Sequence, residues 1–187
     1  DGSLVINDIV IKISDNVYGN DDIILNQDKV NNYSFAECTN FKNVTLSGPV
    51  KTIGNSAFSG IKDLESFKMY SNVVNIQAHA FEDCSNLKSF VFVNDSVKNI
   101  GSYAFRNCTS LDDVSLPNSV ESIGKGTFDN CVGMKKITFN NKNCFIYDSS
   151  ETISKDAVIY GYSGSTSEEY ANKYNRRFVS ISPVVTS

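Results

Sequence analysis

The stretch Ala104–Phe128, AFRNCTSLDDVSLPNSVESIGKGTF, opens on Ala-Phe, closes on Thr-Phe, and carries between them one Cys, an alternating Val-Ser-Leu and an Ile-Gly pair. The same order recurs along the chain. Phe35, Phe58, Phe81, Phe105 and Phe128 follow one another at intervals of 23, 23, 24 and 23 residues. Three residues after each Phe stands Cys38, Ile61, Cys84, Cys108 or Cys131, so four of the five cysteines share one column. Six after are Phe41, Leu64, Leu87, Leu111 and Met134; nine after, Val44, Phe67, Phe90, Val114 and Ile137; eleven after, Leu46, Met69, Phe92, Leu116 and Phe139. A last apolar column holds Ile53, Ile76, Ile100, Ile123 and Ile146, three of them followed by Gly54, Gly101 and Gly124. A fixed period of this length is the mark of a repeat architecture.

Each column has a local meaning. The positions nine and eleven after Phe alternate with polar neighbours, as in Val114-Ser115-Leu116, which is the pattern of a short strand with one buried face. Parallel strands are expected at about residues 43–47, 66–70, 89–93, 113–117 and 136–140. The Ile column marks a second extended segment, such as Val120–Ile123, and the Gly after it is expected to supply a backbone turn that other residues resist. Phe and Cys three apart would share a side if that segment were one helical turn. A single unit cannot bury these columns, but stacked copies turn each column into a ladder. The fold class that follows is a strand-dominated α/β repeat solenoid with ~23-residue coils, short parallel strands, little helix and terminal caps.

The pattern LxxVxLPxSVxxIGxxAFxxC resembles the BspA-like, or treponemal, class of leucine-rich repeat. It covers residues from about 30 to 147 in five copies, with Phe35, Ile61 and Met134 as mild departures and Gln77 and Tyr147 replacing the Gly after Ile. The tail AVIYGYSGSTSEEYANKYNRRFVSI is similar to the closing segment found after such repeats in bacterial surface proteins. The resemblance implies a leucine-rich repeat protein, secreted or displayed on a bacterial cell surface, that binds an extracellular protein or glycan; it implies no particular ligand.

Solenoid ends need caps that differ from the repeat. Residues 1–29 carry Val5, Ile9, Ile11 and Ile13 at partly alternating positions and are read as an N-terminal cap containing a strand pair. Residues 30–150 hold the five repeats. Glu151 stands where the next Phe is due, so residues 151–187 are read as a C-terminal cap, all within one structural domain. Ser165 and Thr166 each precede an acid by three residues, which predicts a helix through about Tyr174, with Tyr170 and Tyr174 turned onto the last coil. Phe178–Ile181 reads as a final strand and Pro183 onward as a tail.

The 187 residues carry a net charge of −4 with 17 Lys+Arg, which gives no electrostatic footprint for nucleic acid. No apolar run approaches the roughly 20 residues of a membrane span. The chain opens on Asp1 without a basic or apolar leader, which reads as a mature or trimmed product from which any export signal has gone. One His and the wide Cys spacing supply no zinc framework, and no nucleotide or EF-hand motif is present, so neither metal nor cofactor is expected. His79 has no nucleophile near it in the repeat register and reads as a surface residue. Paired acids at Asp21-Asp22, Asp112-Asp113 and Glu168-Glu169 do not recur in neighbouring coils, where Ser89 and Lys136 replace Asp113, so a β-helix hydrolase or lyase is disfavoured. Four Asn-X-Ser/Thr sequons, at Asn32, Asn43, Asn94 and Asn107, are of a kind that an Asn-rich chain produces by chance. The protein reads as non-catalytic.

Because Ile61 replaces Cys in its column, that column asks for volume and apolarity, and Cys38, Cys84, Cys108 and Cys131 are expected buried and reduced. Cys144 lies outside the column and stands as the odd thiol. If the positions nine and eleven after Phe point inward, those at eight, ten and twelve point outward. Most of these are polar, but Tyr70, Val91 and Val93 fall on two adjacent coils beside Lys68. These four are the candidate ligand-binding residues of an adhesive surface, with a carbohydrate-binding or spacer role as the alternative.

Overall fold

The computed structural model describes residues 3–6, 9–12, 22–26, 28–39 and 41–181, with backbone alone for the first two segments and for residue 22. An antiparallel pair, β1 (Ser3–Ile6) and β2 (Ile9–Lys12), precedes the solenoid, as the strand pair expected in the N-terminal cap. Then come β3 (Asp22–Leu25), β4 (Asn43–Leu46), β5 (Thr52–Ile53), β6 (Ser66–Met69), β7 (Asn75–Ile76), β8 (Ser89–Phe92) and β9 (Asn99–Ile100). They are followed by β10 (Asp113–Leu116), β11 (Ser122–Ile123), β12 (Lys136–Phe139), β13 (Phe145–Ile146), β14 (Val158–Gly161), α1 (Thr166–Lys173) and β15 (Phe178–Ser180). The strands of the five predicted copies lie within a residue of expectation, and every pairing from β3 onward is parallel.

Each coil contributes one step to two ladders. The short ladder runs unbroken in the order β13-β11-β9-β7-β5, and Val30 extends it by a parallel bridge to Ile53. The long ladder forms two sheets, β3-β4-β6-β8 and β10-β12-β14-β15. It therefore continues on both sides of the five copies, through β3 before Val30 and through β14 and β15 after the Phe column lapses. Between the two sheets the pairing is interrupted beside a proline. Ser47, Tyr70 and Val93 donate their N–H groups to Leu25, Leu46 and Met69 at 2.9, 2.8 and 3.1 Å, but the equivalent of these residues on the next coil is Pro117, which has no N–H. At the other end of the strand Asp112 N reaches the Lys88 carbonyl only at 3.4 Å, against 2.7, 2.8 and 2.9 Å for the same bond from Glu65, Lys88 and Lys135.

The apolar columns fill one continuous core. Phe35, Phe58, Phe81, Phe105 and Phe128 are buried and stack with centroid distances of 5.0, 5.1, 5.2 and 5.4 Å, while Phe67 and Phe90 meet this column edge-on. Stacked and edge-to-face pairs are the arrangements the ring quadrupole favours.

Two local expectations are corrected. The segment around each Phe is not a helical turn but a run of β-turns, in which N–H groups alternate between a local i−3 carbonyl and the next coil: Ser34, Ala36 and Cys38 bond locally, Tyr33, Phe35 and Glu37 to Asn55, Ala57 and Ser59. Left-handed backbone recurs two residues before and two after the Phe, at His79 (φ 59°) and Asp83 (φ 63°) in one coil and at Tyr103 (φ 58°) and Asn107 (φ 61°) in the next. Gly101 and Gly124 do not serve a turn. A Cβ at either would lie 2.5 Å from the backbone nitrogen of Ala78 or Ser102 on the preceding coil, so glycine is required by close approach of backbone to backbone.

At the C-terminal end, Ser165 is the N-cap and accepts from Glu168 N, and Tyr174 is the C-cap. The Glu168 carboxylate turns back to Gly164 N at 2.6 Å. Tyr170 is buried against the last coil, donating to the Ser149 carbonyl at 2.8 Å, while Tyr174 and Lys173 both bond Asp148 at its rim.

Candidate functional site

The strand face carries the four predicted residues, all exposed: Lys68, Tyr70 (51%), Val91 (40%) and Val93 (43%). Lys68 pairs with Val91 in the β6–β8 register, and one residue further inward-facing Met69 pairs with Phe92. The two valines also line a cleft of about 560 Å³ where the long ladder is interrupted, facing Asp113, Ser115 and Pro117 across it. Lys68 and Tyr70 stand one coil away and do not line the cleft. Ile24, exposed at 40%, extends the same row, since it pairs with Thr45 and Thr45 with Lys68. The sequence reading misses it because the repeat is counted from residue 30; the apolar run Ile23-Ile24-Leu25, about one coil length before the strand Val44-Thr45-Leu46, is the signal that could have found it.

Charges on this side pair between coils. Glu65 lies between Lys42 at 3.7 Å and Lys88 at 2.8 Å, and Lys135 meets Asp112 at 2.8 Å. The lysines hold the Glu65 carboxyl below its ordinary range, chiefly through the Lys88 hydrogen bond.

The thiol column is more than apolar filling. Cys84, Cys108 and Cys131 are buried, and their Sγ atoms donate to the carbonyls of Phe58, Phe81 and Phe105 on the preceding coil at 3.1, 3.2 and 3.0 Å. Burial pushes the thiols of Cys84, Cys131 and Cys144 up to about 12 and that of Cys108 well above its ordinary value. All five cysteines are free, but Cys38 is half-exposed where burial was expected, because it lies on an early coil beside an open groove lined by Glu37 and Thr39. The odd thiol, Cys144, is buried.

His79 is half-exposed, with Nδ1 2.7 Å from Glu82 Oε2 and its ring stacked on Tyr103 at 5.4 Å. Arg106 spans Glu82 and Asp129, each at 3.5 Å. This network joins coils. Among the described residues, no group of His, Cys, Asp and Glu is placed to hold a metal ion, and no helix is long and apolar enough to cross a membrane.

Residues 28–153 match the BspA type leucine rich repeat region in six copies, where the Phe period counts five. No match is found among curated proteins. Among solved structures, the leucine-rich repeat protein of Treponema pallidum superposes with a TM-score of 0.62 at 23% identity, covering 84% of this chain and 85% of that one. The pneumococcal vaccine antigen PcpA superposes with a TM-score of 0.71 at 19% identity over 88% of this chain, and a leucine rich cell surface protein of Faecalibacterium prausnitzii with 0.62 at 20% over 79%. The chain spans only 42% and 43% of these last two. With its coils, thiol column and glycine column built on that repeat and most of its length matched to it, the chain belongs to the BspA-type leucine-rich repeat family.

Proposed function

We propose that the chain is a non-catalytic binding module displayed at a bacterial surface, which adheres to an extracellular or host-matrix protein through its strand face. The contact spot is Lys68, Tyr70, Val91 and Val93. The observation that carries this reading is the exposure of one aromatic and two aliphatic side chains on adjacent coils of a largely polar strand face, the two valines lining a cleft. Exposed apolar groups grouped in this way desolvate readily against a partner, and an aromatic at their centre is the usual anchor.

The test is a binding screen of the intact chain against immobilised matrix proteins, repeated with Tyr70→Ala/Val91→Ser. The double variant is expected to weaken capture by more than about 1 kcal/mol, roughly fivefold, with its melting temperature nearly unchanged. Lys62→Ala, on the turn face, should change neither. Unaltered affinity in the double variant would remove the site from the strand face.

A further inference from the structure

The outer side of the short ladder has a different chemistry from the strand face. Its outward column reads Thr52, Asn75, Asn99, Ser122 and Phe145. The middle of this column is tied into one chain: Asn99 Nδ2 donates to Asn75 Oδ1 at 2.9 Å and Ser122 Oγ to Asn99 Oδ1 at 2.8 Å. Each amide nitrogen in it keeps a further N–H, and each oxygen a further lone pair, for a ligand. Beside the column Gly101 and Gly124, held without side chains by backbone close approach, line a groove of about 410 Å³. Gln77 enters the same groove, and none of its described lining residues carries a charge. At its C-terminal end β13 presents Phe145, 58% exposed and lining the groove, and Tyr147, 42% exposed, follows two residues on in the column that holds Gly101 and Gly124.

We propose that this surface is an oligosaccharide-binding groove, with Phe145 and Tyr147 as stacking platforms for sugar rings and Asn75, Gln77, Asn99 and Ser122 as partners of their hydroxyls. Neutral amides and hydroxyls in a row suit a neutral polyhydroxyl ligand and offer nothing to pair with a charged peptide. Between β5 and β13 the backbone groups of the ladder are already bonded from coil to coil, so a peptide lying along the groove meets no unpaired strand there. Successive coils repeat at ~4.8 Å, so the four strands that line the groove, β7, β9, β11 and β13, span about 14 Å. A large ring exposed in a polar column adds nothing to the core. An aromatic face set against a sugar's C–H surface, with amides flanking it, is the division of labour expected of a site that is part apolar and part hydrogen-bonding.

Cellohexaose, maltohexaose and chitohexaose titrated into the intact chain by calorimetry test this. At least one is expected to bind, with Phe145→Ala and Tyr147→Ala each weakening it tenfold or more at unchanged melting temperature, and with Tyr70→Ala/Val91→Ser leaving it unchanged. Should a variant fail to fold, hexaose-induced amide shifts in the unaltered chain serve instead and should map to β7, β9, β11 and β13. The proposal is overturned if none of the three binds at millimolar concentration, if Phe145→Ala binds normally, if the shifts map to the strand face, or if Phe145 is needed only for a protein ligand.

Discussion

Replacing Phe by Leu at two depths of the aromatic column separates what the rings contribute from what simple burial contributes. Phe81 and Phe128 are both fully buried. Phe81 stacks on Phe58 and Phe105 and meets Phe67 and Phe90 edge-on at 4.9 and 5.0 Å, whereas Phe128 has Phe105 alone, at 5.4 Å. The swap removes ring volume from a fully buried site in both variants, so the transfer and cavity costs are common to the two. Three further ring pairs, at ~0.5 kcal/mol each from the low end of the measured range, make Phe81→Leu the costlier by about 1.5 kcal/mol. Urea unfolding followed by circular dichroism reads this as a difference in midpoint at constant slope. Loss of slope in Phe81→Leu alone would mean that the central coil, rather than the ring pairs, couples the two halves of the solenoid. Equal midpoint shifts for the two variants would refute the reasoning, since burial is the same and only ring partners differ.

Three further outcomes are expected. At pH 8 a maleimide should modify Cys38 within minutes and leave Cys84, Cys131 and Cys144 intact, because a thiol raised to about 12 is thiolate in only about one part in ten thousand; peptide mass spectrometry assigns the label. Gly124→Ala should destabilise by about 1 to 3 kcal/mol, as its Cβ would strike Ser102 N, which thermal unfolding measures. Hydrogen bonds from Lys173 and Tyr174 hold the Asp148 carboxyl below its ordinary value, so its contribution is present above the usual carboxylate range and lost as pH falls through the lowered pKa. Protection factors of the α1 amides, in which the intrinsic pH dependence of exchange is divided out, should therefore fall on acidification, and Asp148→Asn should remove that dependence.

The periodic columns were legible in the sequence because burial in a solenoid repeats the same demand at every coil. Ile53, Ile76, Ile100, Ile123 and Ile146 must each be apolar, and the strands followed to within a residue. The capped helix was legible too, since Ser165 and Glu168 act within one turn. Other features depend on what lies one coil away, and a column of letters does not show the distance between coils. Gly101 looked like a turn residue but is glycine because the backbone of Ala78 lies against it; the cysteines looked like filler but donate to phenylalanine carbonyls 26 or 27 residues back. The positions two before and two after each Phe vary in residue type, with Tyr, Ser, His and Gly before it and Glu, Gly, Asp and Asn after it, and what they share is a left-handed backbone rather than a side chain. Likewise Tyr70, Val91 and Val93 could be placed on the outside by alternation alone, while the cleft beside Val91 and Val93 lies where the long ladder is interrupted at Pro117, which cannot give the hydrogen bond that Ser47, Tyr70 and Val93 give on the coils before it. A sequence period specifies which face a residue takes; the spacing between coils, which sets every contact across them, is decided when the coils pack.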